Sequence, residues 1–200
     1  MSPRPYARRG RDAAREDTHR RILDALMALH AEKGVLATTY ADIAERADVS
    51  VATVYNHFPA RPDLLQACGG ELASRAPQFD ADIFAGHAEV AGRLAALVRA
   101  VFDDHRHWGP WKRWAVGEAS VVPELRASIE RARTRRLGLV VQALAPGFAG
   151  SPPPRLVALV DALLDFAAWS ALTGDLGADE AEAAVAAALV TLYEAQQRRR

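Results

Sequence analysis

Six residues between Val51 and His57 combine types that could read a polyanion. Val51, Ala52 and Thr53 are small, whereas Tyr55, Asn56 and His57 bring a phenol, an amide and an imidazole. If the run is helical, Val54 and Phe58 lie four apart and face inward together, which leaves the six on or near the outer face. Small side chains let a helix approach base edges in a major groove, and donors along its flanks can reach phosphates. The same residues on an isolated helix would be only a solvated surface, so the reading depends on what precedes them.

What precedes them is a second short helix. Thr39 stands three residues before Asp42, the spacing of a capping box. Ile43 and Ala47 share a face that Ala44 widens, and alanine there allows a close helix crossing. Asp48-Val49-Ser50 reads as the turn. A helix-turn-helix favours glycine in this turn, where one residue is left-handed; Asp48 tolerates that conformation, though less well than glycine. Val49 should plug the gap between the helices, and Ser50 is the N-cap of the next one. Upstream, Ile22, Leu23, Leu26, Met27, Leu29 and His30 give an apolar face to a helix expected from about Asp17 to Lys33, with Gly34 as its cap. His30 on that face reads as a partly buried histidine rather than a ligand.

DIAERADVS followed by VATVYNHFPARPDLL resembles the DNA-binding segment of the TetR family of bacterial transcriptional regulators, over about Asp17 to Leu65. The co-occurring features are the capped Thr39, Ile43-Ala44, Val49-Ser50, Tyr55, His57-Phe58 and Leu64-Leu65. The resemblance implies phosphate contacts from Thr39, Tyr55, His57 and Arg61, with Val51, Ala52, Thr53 and Asn56 nearest the bases. Tyr40 and Ser50 complete the DNA-facing set. It further implies a homodimer formed through the last two helices, an inverted-repeat operator in double-stranded DNA, a small effector and repression as the usual mode. Asp48 departs from the family's turn glycine, and Ala60-Arg61-Pro62 lacks the usual hydroxyl cap, partly offset by proline's fit to the first helical turn.

The expected architecture is all-α, with an N-terminal three-helix helix-turn-helix unit and a larger C-terminal helical domain for ligand binding and dimerisation. Residues 1–16 read as a flexible basic arm, 17–61 as the DNA-binding domain, and 62–200 as the effector and dimerisation domain. Half of the 200 residues are hydrophobic, and β-branched or aromatic alternation is scarce, which favours helices. The net charge is zero, but Met1 to Arg21 carries seven arginines against three acids, a local +4. Such an arm suits phosphate contact and equally suits a solvated tail. One cysteine, Cys68, excludes an internal disulfide and a cysteine metal cluster. No cofactor or metal is expected, no apolar run approaches a membrane span, and the chain reads as cytoplasmic. There is no nucleophile elbow, phosphate loop or metal-ligand spacing, so an enzyme is not expected. A protein–protein module that kept the fold without the DNA contacts is the alternative.

Downstream, helices are expected at Pro62 to Arg75, Asp82 to His105, Pro123 to Leu144, Arg155 to Thr173 and Asp179 to Gln197. Gly69-Gly70 should weaken the first of these, and residues 146–154, PGFAGSPPP, should be a loop. Phe102, Trp108, Trp111, Trp114, Phe166 and Trp169 form the candidate lining of a pocket for an apolar or aromatic effector. Aromatic side chains at helical spacing also serve simply as core. The last two helices carry apolar and small-residue faces suited to a four-helix interface with a second copy.

Overall fold

The computed structural model describes residues 5–77 and 80–199, residues 5–11 as backbone only. All regular structure among them is helical. The helices are α1 (Pro5–Lys33), α2 (Tyr40–Arg46), α3 (Val51–His57), α4 (Arg61–Arg75), α5 (Val90–Glu118), α6 (Pro123–Leu144), α7 (Pro154–Leu163), α8 (Phe166–Leu176) and α9 (Ala178–Gln197). The chain divides into two compact units. One holds Met1–Ala76 with Pro110–Ala127, and the other holds Pro77–Gly109 with Ser128–Arg200.

The first unit is organised around Ile22, Leu26, Ile43, Val54, Phe58 and Leu64, all buried. Two elements lie differently from the helix bounds and grouping expected. Helix α1 starts at Pro5, so the part of the expected flexible arm that is described is helix; proline suits a first turn, and Ala13-Ala14 with the arginines favours continuation. Helix α4 belongs to this unit and not to the C-terminal one. Leu64, Cys68 and Leu72 of α4 are buried, Cys68 Sγ lies 3.7 Å from His30 Nδ1, and Arg75 pairs with Asp24 at 3.1 Å. Gly69 and Gly70 do not break α4; tertiary packing outweighs their poor helix propensity.

In the second unit Leu94, Leu97, Val98, Phe102, Val140, Leu144, Val160, Leu164, Val185 and Leu189 form the core. Three element boundaries differ from expectation. Residues 81–84 form a 3-10 turn rather than the start of α5, and Gly86, at φ +78, separates it from Val90. Helix α5 runs on through Gly109-Pro110 to Glu118; an interior proline removes one backbone hydrogen bond, and packing of the following turn tolerates the loss. The expected helix from Arg155 to Thr173 is two helices, α7 and α8, bent by 49°. Asp165 caps α8 by accepting the Ala167 N–H at 3.1 Å, and His105 Nε2 meets the Leu164 carbonyl at 3.0 Å. No single helix is long and apolar enough to cross a membrane among the described residues.

Candidate nucleic-acid interface

Helix α2 begins with the capping box read from sequence. The Thr39 hydroxyl accepts the Asp42 N–H, and Asp42 Oδ2 accepts the Thr39 N–H at 2.8 Å. Asp42 also faces Lys33 at 2.8 Å. That hydrogen-bonded ammonium, then the Thr39 N–H and hydroxyl, hold the Asp42 carboxyl down to about 2. The helix closes in a Schellman motif: Val49 N–H reaches the Ala44 carbonyl at 3.0 Å and Asp48 N–H the Glu45 carbonyl at 3.2 Å. Asp48 takes the left-handed position, at φ +52. Arg21 of α1 braces this turn, donating from Nη2 to the Asp48 carbonyl at 2.7 Å and from Nε to the Ala47 carbonyl at 3.1 Å. Nothing local pointed to Arg21, because its partners lie 26 and 27 residues away.

Ser50 caps α3, its hydroxyl accepting the Thr53 N–H at 3.1 Å. Val54 and Phe58 are buried at 0% and 3% exposure and fix the rotation of the helix. Val51, Ala52, Tyr55 and Asn56 are thereby exposed, with Thr53 and His57 half-buried at the edges. The Tyr55 ring stacks on Tyr40 at 4.1 Å and 9°, and the Tyr40 hydroxyl donates to the Phe58 carbonyl at 3.2 Å. Tyr40 therefore buttresses Tyr55, which stays exposed. His57 lies against His19 at 5.7 Å between ring centroids. Burial first, then the nearby His19 and Arg15, lower its pKa, which favours a neutral imidazole. Small residues thus lead a helix flanked by hydroxyl, amide and imidazole groups.

Arg61 is placed differently from the expected phosphate contact. Its guanidinium donates to the Val35 carbonyl in the turn between α1 and α2. The reason is local: Arg61 opens α4 beside a turn that Gly34 enters at φ +83. The missing hydroxyl cap of α4 is replaced from the other side, where Asp63 Oδ2 accepts the Ala60 N–H at 3.2 Å.

Residues 22–68, which contain α2, α3 and the turn between them, match the family model for bacterial regulatory proteins of the tetR family. The transcriptional regulator BetI of Burkholderia thailandensis is 30% identical over 158 residues, covering 74% of this chain and 80% of that protein. The chain belongs to the TetR family. The transcriptional regulator LuxR of Vibrio harveyi is 30% identical over 115 residues, 55% of this chain. The chain spans only about half of that relative, 56% of its length. A transcriptional regulator from Saccharomonospora viridis, solved in complex with choline, shares the fold with a TM-score of 0.65 at 22% identity, covering 85% of this chain and 94% of its own.

The six aromatic residues expected to line one pocket are dispersed in this TetR-family chain. Phe102 is fully buried in the core of the second unit. Trp111 and Trp114 belong to the first unit, where their indole N–H groups donate to the Met27 carbonyl at 3.0 Å and the Ala31 carbonyl at 3.1 Å. Their three-residue spacing is helical and puts them on one face of α5. Trp108 meets the His107 ring edge-on at 5.4 Å. Phe166 and Trp169 lie 5.3 Å apart, each 5.5 Å from the His105 ring. Two grooves in the second unit are lined by other residues. One, of about 650 Å³, runs between α6 and α7 past Leu137, Val141, Val157 and the buried Asp161. The other, of about 820 Å³, lies between α5 and α9 past Ala96, Arg99, Asp103 and Glu182.

Proposed function

We propose that the protein is a homodimeric, ligand-responsive, DNA-binding transcriptional regulator of the cytoplasm, a repressor released from an inverted-repeat operator by a small effector. The observation that carries the reading is α3: Val54 and Phe58 lock it inward, so Val51, Ala52, Tyr55 and Asn56 face out as a set. Two such helices in a two-fold dimer would enter successive major grooves about 34–36 Å apart. Thr39, Ser50, Thr53 and His57 flank them, and Arg61 acts indirectly through the Val35 turn. Helix α8 supports the dimer. Its sequence FAAWSALTGDL buries no residue fully: Trp169 and Leu172 pack against the core on one side, Ala167, Ala171 and Leu176 stay exposed, and α9 beside it exposes Ala184 and Ala188. A second copy would cover both.

For the effector, both grooves have the size of small-molecule sites. Among the aromatic residues Trp169 keeps the strongest claim, because its indole nitrogen is buried without a hydrogen-bond partner. Choline, held by the Saccharomonospora regulator, is one ligand to add in a release assay.

The test is selection of bound fragments from a sheared genomic library of the source organism, without added ligand, over a range of salt. Enrichment of a short inverted repeat is expected, with affinity falling steeply as salt rises. No enrichment by folded, ligand-free protein at any salt would replace this reading with that of a protein–protein module.

A further inference from the structure

The last turns of α5 carry a set of side chains whose polar atoms meet the end of α1. Trp111, Trp114 and Glu118 lie on one face of the helix, at spacings of three and four. Trp114 Nε1 and Arg113 Nη2 both donate to the Ala31 carbonyl, at 3.1 and 2.7 Å. That carbonyl belongs to the last turn of α1, where intrahelical partners run out. One turn further on, the Glu118 carboxylate spans two successive amides: Oε2 accepts the Val35 N–H at 2.9 Å and Oε1 the Leu36 N–H at 3.0 Å. All of these residues lie in the first unit.

The turn they grip leads straight into α2. Gly34 enters it at φ +83, and a Cβ there would meet Glu118 Oε1 at 2.4 Å, so the carboxylate occupies space that only glycine leaves open. The Thr38 hydroxyl donates to the Gly34 carbonyl at 2.7 Å, Arg61 of α4 takes the Val35 carbonyl, and Thr39 follows as the N-cap of α2. The turn is thus pinned through its amides by α5 and through its carbonyl by α4. It has no helix of its own to pair those amides, and only a carboxylate offers an acceptor to each.

We propose that Glu118 is a positioning residue of the DNA-binding unit, setting through the Val35–Leu36 turn the pose in which α2 and α3 meet DNA. The inference rests on the DNA-binding reading above for its consequence, though not for its structural part. Simple electrostatics gives the opposite sign: removing a carboxylate from a protein that binds a polyanion should tighten binding. Positioning predicts weakening, because glutamine accepts from one amide and turns an NH₂ group on the other.

The experiment compares full-length parent, Glu118→Gln and Glu124→Gln, the last removing an exposed carboxylate at the start of α6. The probe is a genomic fragment enriched by the parent. Glu118→Gln is expected to lose about tenfold in affinity with an unchanged salt slope and an intact melting transition, and Glu124→Gln to bind at least as tightly as the parent. Amide hydrogen exchange, read without DNA, should show faster exchange at Val35 and Leu36 and through residues 39–57, with the second unit unchanged. Binding by Glu118→Gln as tight as the parent's would overturn the proposal. A loss that merely tracks the unfolded fraction would overturn it too, reducing Glu118 to a stability contact. If the parent enriches no fragment, the DNA-binding reading fails; exchange across residues 35–57 then decides the structural part, and no change there removes it.

Discussion

Helices α3 and α8 both leave most of their surface uncovered, for opposite reasons. Helix α3 buries one residue, Val54, and presents Val51, Ala52, Tyr55 and Asn56. Helix α8 fully buries none: Phe166, Ala168, Trp169 and Leu172 are half-buried, Trp169 and Leu172 against the core, and Ala167, Ala171 and Leu176 are exposed with few polar groups between. A helix that ends in small and hydrogen-bonding groups can rest against water or a nucleic acid at little cost. An apolar helix left open loses the burial that stabilises it, about 25 cal/mol for each Å². Exposure alone therefore says little, and the chemistry of the exposed atoms says which partner each surface suits.

The sharpest way to break the comparison is to charge the apolar side. Ala188→Glu on the exposed stripe of α9 keeps a good helix former and adds a carboxylate from each subunit at the proposed two-fold interface. Burying those charges should cost on the order of 3–5 kcal/mol of dimer stability, read as a monomer by sedimentation equilibrium. A dimer of unchanged affinity would mean that this face is not the one that pairs. Operator binding should fall with the dimer, since two half-sites need two recognition helices.

Acid tests the support beneath α3. His30 is 6% exposed, and burial, then the neighbouring Arg61, push its pKa down to about 4. The folded unit disfavours the imidazolium, so the unfolded chain binds the proton first. The stabilisation is complete above the ordinary histidine pKa of 6.5 and disappears as pH falls toward about 4. The loss should be on the order of 3 kcal/mol, with His57, also lowered, acting in the same direction. Urea unfolding between pH 7 and 4 reads it, and His30→Leu should flatten the curve. Cys68, whose thiol burial pushes up to about 12, takes no part over that range.

A smaller effect addresses the outer face of α3 alone. Tyr55→Phe keeps the ring stacked on Tyr40 and removes only the hydroxyl. Affinity for an enriched fragment should fall by about 1–1.5 kcal/mol, while thermal stability stays within about 0.5 kcal/mol of the parent. Unchanged affinity would leave Tyr55 as a packing residue and weaken the contrast with α8.

The same contrast explains what could be read without coordinates. Thr39 with Asp42, Ser50 with Thr53, and Val54 with Phe58 act over three or four residues, so the helix-turn-helix was legible as spacing. The α7–α8 break was not, because it depends on His105 meeting the Leu164 carbonyl 59 residues away and on Arg136 bridging Asp161 and Asp165. Arg21 on the Asp48 carbonyl and Glu118 on the Val35 amide escaped for the same reason. The tryptophans misled in another way: their spacing correctly put Trp111 and Trp114 on one face, but spacing cannot say whether that face meets a ligand or the end of α1.

The turn between α2 and α3 offers the finest test, because one residue there affects stability and charge together. Asp48 holds the left-handed position at φ +52, where a Cβ costs about 1 kcal/mol. Asp48→Gly removes that strain, while the added freedom of the unfolded chain returns part of it. The net gain should be about 0.5 kcal/mol, read as a raised melting temperature. The Schellman bonds and the Arg21 brace use backbone atoms and survive the change. Asp48→Asn separates the two contributions: asparagine tolerates the same backbone region and also removes the carboxylate. Stability should then stay near the parent's while affinity for DNA rises slightly, because one negative charge has left the turn before α3. If Asp48→Asn changed stability as much as Asp48→Gly, the strain would lie in the side chain's charge rather than in the backbone. If neither variant shifted DNA affinity, the turn would stand farther from the phosphates than the exposed face of α3 requires.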